Sequence, residues 1–175
     1  MRTRYLPSSM PLLVSTLIFA SSILAANTAR EPAPRFHATT TSGEKFTNES
    51  IKGKVVLLEF WATWCGFCDH EAPYVDQIAK EFVSKGLIVL AVDVGESKKT
   101  VKRYLEAHPR GVPIVLMEDT NLAAMYQANV YPIYVLIDRD GTIAGTQRGA
   151  GGEQALRRLL MRTGLGGVST DSDDE

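Results

Sequence analysis

Residues Glu59 to Pro73 read EFWATWCGFCDHEAP, and they hold both cysteines of the chain, Cys65 and Cys68, with two residues between them. The apolar run Val55 to Leu58 leads into this stretch, and Val75, Ile78, Ala79 and Phe82 follow it at spacings of three, four and seven. The pattern predicts a buried strand, a short turn carrying Cys65 and a helix starting near Cys68. A thiol at a helix N-terminus faces unpaired backbone N–H groups and the positive end of the helix dipole, and both favour the thiolate. The stretch therefore predicts a dithiol that exchanges with other disulfides. Cys65, before the helix, is expected to be the more exposed thiol and the nucleophile. Cys68, one turn inside, is expected to be buried and to resolve the mixed disulfide that Cys65 forms.

Two plainer readings of the pair are weaker. A structural disulfide here would close a loop of about four residues, worth only roughly 2 kcal/mol by chain entropy. A zinc site needs further Cys or His ligands; only His37, His70 and His108 remain, without a second ligand pair at a recognisable spacing. His70 itself reads as a solvated helix residue.

The chain around this stretch fits one domain. Its 175 residues can bury a sizeable core, and 45% apolar and 22% charged residues are ordinary for a globular protein. A net charge of −1 gives no electrostatic footprint for nucleic acid. Residues 1–29 read as a signal peptide or an N-terminal anchor: Arg2 and Arg4 precede a mostly apolar run from Pro11 to Ala26, followed by small residues. Export of the domain is expected in either case, to the periplasm or to a membrane anchor facing it. Two cysteines in an exported chain are few for a disulfide-stapled scaffold. Residues 30–35 read as a Pro-rich linker, 36–163 as the domain, and 164–175 as a disordered acidic tail.

Within the domain, Phe36 to Phe46 predicts a hairpin turning near Gly43. The helix after the cysteines is expected to run through Pro73 to about Ser84. Leu87 to Val92 reads as a strand buried on both faces. Asp93 to Lys99 reads as a polar loop, Thr100 to Ala107 as a short helix, Ile114 to Met117 as a strand and Asn121 to Ala128 as a helix. Tyr134 to Ile137 and Thr142 to Gln147 read as strands joined by Arg139-Asp140-Gly141, and Glu153 to Arg162 as the last helix.

Three motifs in this order, GKVVLLEFWATWC, HEAP and YPIYVLIDRDG, resemble the TlpA/ResA-like thiol–disulfide oxidoreductases of the thioredoxin superfamily. The resemblance covers about residues 32–162. It implies an α/β thioredoxin-like fold: a central mixed sheet flanked by helices, with the N-terminal hairpin and a helix–strand unit inserted between Asp93 and Ala128. It places a buried acid at Glu59, below the second cysteine, whose carboxyl burial would raise and which could carry the Cys68 proton. It places a further acid near the site at Glu71, and a cis-proline at Pro132. Trp64, Gly66, Phe67 and Tyr131 fall where the family borders its substrate. Gly66 and Phe67 would also tune the potential; the family often has Pro where Phe67 stands, and a small or β-branched residue where Tyr131 stands. No prosthetic cofactor and no metal is implied. The implied partners are protein disulfides, such as those of apocytochromes or copper-site assembly proteins, and a membrane thiol donor that restores the dithiol.

Three rival functions remain open to the sequence. A disulfide oxidase or isomerase would use the same residues at another potential. A thiol peroxidase lacks a separate peroxidatic cysteine here. A copper(I) chaperone would use the two soft thiolates and a nearby imidazole, but His70, adjacent in sequence, faces away from them on the helix.

Overall fold

The computed structural model describes residues 30–166; the expected leader and all but the first three residues of the expected tail lie outside them. Seven strands form one mixed sheet among the described residues: β1 (His37–Thr40), β2 (Lys45–Thr47), β3 (Val55–Trp61), β4 (Leu87–Asp93), β5 (Ile114–Thr120), β6 (Ile133–Ile137) and β7 (Ile143–Arg148), in the order β2-β1-β5-β4-β3-β6-β7. The helices are α1 (Gly66–Phe82), α2 (Lys98–Ala107), α3 (Leu122–Met125) and α4 (Gly152–Met161). None of the described helices is long and apolar enough to cross a membrane.

The middle of the sheet follows from three apolar runs. Every residue of β3 and β6 is buried, and β4 is buried except for the half-buried Ile88. A leucine such as Leu57 or Leu58, fully enclosed, contributes about 1.5–3 kcal/mol. Strand β3 runs parallel to β4 and antiparallel to β6, so the ends of β3 and β4 and the start of β6 meet at one pole of the sheet. The cysteines stand at that pole.

The expected thioredoxin-like layout is present. The N-terminal hairpin forms β1 and β2, and β1 attaches antiparallel to β5. The inserted unit is α2, β5 and α3. Several boundaries differ from the expectation for physical reasons. Helix α1 starts at Gly66, earlier than expected, because Cys65 itself is the N-cap. It ends at Phe82 in a 3₁₀ turn, Val83–Lys85, closed by Gly86 at φ 86°. Strand β5 runs three residues further, since Thr120 pairs with Ala38. Helix α3 is a four-residue piece because the chain turns out of it through Gln127 at φ 48°. Asp93, expected in a polar loop, is the buried last residue of β4.

Both ends of the domain are more ordered than their composition suggested. Residues 30–33 lie along the β6–β7 turn: Arg30 pairs with Asp138 at 2.6 Å, Ala33 N–H donates to Gly141 O at 2.8 Å, and Ile143 N–H donates to Glu31 O at 2.7 Å. The start of the expected Pro-rich linker is thus docked as a strap on that turn. At the other end, Leu165 is 3% exposed and joins the core, beyond the expected domain end at 163.

Candidate active site

The turn Ala62–Cys65 closes with Cys65 N–H donating to Ala62 O at 3.1 Å. It delivers Cys65 to the N-cap of α1, where its Sγ accepts the Cys68 N–H at 3.2 Å. The two cysteines form a disulfide with Cα atoms 5.3 Å apart. Cys65 is 7% exposed and Cys68 1%, which keeps the expected order while both are largely covered. On reduction, a Cys65 thiolate would keep the same N–H donor and the dipole behind it.

Around the disulfide, Trp64 and Phe67 stand 66% and 70% exposed, and Gly66 is exposed between them. The Trp64 ring meets Tyr131 edge-on at 5.7 Å, and the Tyr131–Pro132 peptide bond is cis. This brings the segment before β6 alongside the cysteine turn and forms an apolar rim of Trp64, Phe67 and Tyr131. His70 points away as an exposed ring against Tyr74.

Glu59 is fully buried in β3, directly opposite Tyr134 of β6. Its Oε2 accepts from Arg110 at 2.8 Å, and Arg110 also reaches Asp76 at 3.0 Å and lies over the Trp61 ring. Burial raises the Glu59 carboxyl above its ordinary value, the Arg110 charge opposing this without cancelling it. Glu59 Oε1 has no partner. Glu71 is equally buried, but both of its oxygens are engaged: Oε2 accepts from the Tyr134 hydroxyl at 2.8 Å, and Oε1 accepts the N–H groups of Gly151 and Gly152. Glu71 thus ties α1 to β6 and to the start of α4.

The sequence reading missed Arg110 and Tyr134 as partners of the two buried acids, and the burial of Asp93. Arg110 stood in an apparent breaker, Pro109 to Pro113, and nothing local marks its reach into the core. An acid ending a buried apolar strand was the available signal for Asp93. Among the described residues no group of three or more His, Cys, Asp or Glu is placed to hold a metal.

Residues 29–146 match the model of the AhpC/TSA family. The chain belongs to this family, within the thioredoxin superfamily. It is 34% identical over 128 residues to the thiol-disulfide oxidoreductase ResA of Bacillus subtilis, covering 73% of this chain and 72% of that protein. A thiol:disulfide interchange protein of Chlorobium tepidum TLS superposes with a TM-score of 0.66 at 27% identity, over 77% of this chain and 96% of the other. StoA from Bacillus subtilis, at 24% identity and a TM-score of 0.63, shares the fold over 73% of this chain and 96% of its own. With Cys65 and Cys68 at the helix start, this family member is a thiol–disulfide oxidoreductase of the ResA type.

Proposed function

We propose that this enzyme is exported and reduces disulfides of other proteins, through Cys65 as nucleophile and Cys68 as resolving thiol. The observation that carries the reading is Cys65 as the N-cap of α1, its sulfur on the Cys68 N–H. The Cys65 thiolate attacks a target disulfide; one S–S bond breaks, one forms, and a target thiolate leaves and takes a proton. Cys68, once deprotonated, attacks Cys65 Sγ and releases the second target thiol. The target gains two electrons and the pair becomes the disulfide. A membrane thiol donor would return the electrons, because the compartment oxidises thiols.

We assign the Cys68 proton to Glu59 rather than Glu71, since Glu59 keeps a buried oxygen without a donor and Glu71 does not. Pro132 and Tyr131 would set an extended target strand beside the disulfide by backbone pairing, over the rim of Trp64, Gly66 and Phe67. The resemblance supports apocytochromes or copper-site assembly proteins as targets. The basic start and short apolar run at residues 1–29 support export.

The test is trapping in the exported compartment. Cys68→Ala should hold target proteins as mixed disulfides and Cys65→Ala none; equal trapping by both variants sinks the assignment of roles.

A further inference from the structure

The end of β4 and the loop from it to α2 carry two acids that the exchange steps above leave unused. Asp93 ends β4 opposite Trp61 of β3 in the parallel register, and it is fully buried. Glu96 spreads its carboxylate over Thr63: Oε2 accepts the Thr63 N–H at 2.6 Å and Oε1 accepts the Thr63 hydroxyl at 2.6 Å. Asp93 Oδ1 accepts the Glu96 N–H at 3.2 Å, and Val94 N–H donates to Trp61 O at 3.0 Å. These contacts fasten the loop to Trp61 and Thr63, and Thr63 stands two residues before Cys65. Bonds to an ionised carboxylate are roughly twice as strong as neutral ones. Asp93 Oδ2 is buried with no partner, a costly arrangement, and the Nε1 of Trp61, paired opposite it, is unpartnered as well.

We propose that Glu96, set in place by Asp93, is a positioning residue for Cys65: it fixes the approach from Trp61 to Thr63 and so the turn that presents the Cys65 sulfur. The inference rests on the reading of Cys65 and Cys68 as an exchanging pair. It adds a control that the thiols alone do not supply. Burial, reinforced by the neighbouring Glu96 carboxylate, pushes the Asp93 carboxyl up to about 7. The groups that face it are Glu96 from its own loop and Tyr131 from the segment before β6, whose hydroxyl is raised by burial and then by the Asp93 charge. Below that pH Asp93 is neutral and Glu96 holds Thr63 alone. Above it, two carboxylates share one loop, and their repulsion weakens the grip on Thr63.

The test reduces the oxidised full-length protein with dithiothreitol from about pH 6 to about pH 8.5 and follows tryptophan emission. The rate for wild type divided by that for Asp93→Asn removes the ionisation of the reductant, which is common to both. The expected ratio changes severalfold along one titration centred near pH 7. A ratio that is flat across the range overturns the proposal. A second pair of variants does not depend on the fold tolerating Asn at 93: Thr63→Val should shift the reduction rate severalfold and Thr63→Ser should recover it. Equal rates for the two overturn the proposal as well. A disulfide that dithiothreitol leaves intact at every pH overturns the exchange reading itself, and this inference with it.

Discussion

The Glu59 carboxylate and the Arg110 guanidinium meet at 2.8 Å inside the domain, with side-chain exposures of 0% and 5%. The pair spans 51 residues of chain and joins the central strand to the loop before β5. Removing one partner of such a pair leaves a buried charge without compensation, at a cost of about 3–5 kcal/mol. Arg110→Gln is therefore expected to lose that much stability in urea unfolding at neutral pH, and less in mild acid, where Glu59 is protonated. A loss under about 1 kcal/mol at neutral pH would show that the pair carries little.

Glu59→Gln tests the proton acceptor. The carboxyl is raised by burial above its ordinary value of 4.5. A raised group contributes its full stability below the unfolded value and loses it as pH climbs through the folded one. Wild type should lose stability over that window relative to Glu59→Gln, although Gln at 59 leaves Arg110 with Asp76 alone. In stopped-flow work, release of the mixed disulfide should slow while attack by Cys65 changes little. Unchanged release kinetics would return the proton to another group.

Asp93 makes the same kind of statement over a defined range. Its carboxyl moves from 3.8 to about 7 on folding. Its contribution to stability is present in acid and lost as pH rises from about 4 through about 7. Denaturant titrations of Asp93→Asn should show a flatter stability profile there than wild type, and parallel profiles would count against a buried titrating acid.

Glu71 separates acceptor geometry from charge. Its three donors are the Tyr134 hydroxyl and the amides of Gly151 and Gly152. Glu71→Gln keeps an oxygen for the two amides, and its amide N–H can turn to the Tyr134 oxygen, so the cost should be small. Glu71→Ala strands the buried Tyr134 hydroxyl at about 1–3 kcal/mol and leaves the more exposed amides of Gly151 and Gly152 to solvent, measured as lost thermal stability and faster hydrogen exchange at the two glycines. Equal behaviour of the two variants would mean that charge, not geometry, matters at this position.

The strands β3, β4 and β6 were legible because each is a continuous apolar run, Val55 to Leu58, Leu87 to Val92 and Tyr134 to Ile137, bounded by turn residues. The cysteine turn was legible because both thiols and the helix periodicity lie within one short stretch. What stayed hidden came from distant pairing. Arg110 meets Glu59 only because the sheet places the loop before β5 beside β3. Tyr134, Gly151 and Gly152 reach Glu71 across more than 60 residues. Thr120 extends β5 only because β1 lies beside it. Local composition gave no sign that residues 30–33 dock, because their backbone partners belong to the distant β6–β7 turn.

That strap fixes where the amino-terminal segment meets the domain. It is bonded to Asp138, Gly141 and Ile143, at the β6–β7 turn, while the disulfide stands beyond the other end of β3. The seven residues of β3 separate the two poles by about 20 Å at the usual rise of a strand. Whatever precedes residue 30 thus leaves from the base of the domain. An anchor there, if residues 1–29 serve as one, would hold the molecule by its heel with the disulfide outward, and a target would dock on the free side without competing with the attachment for space.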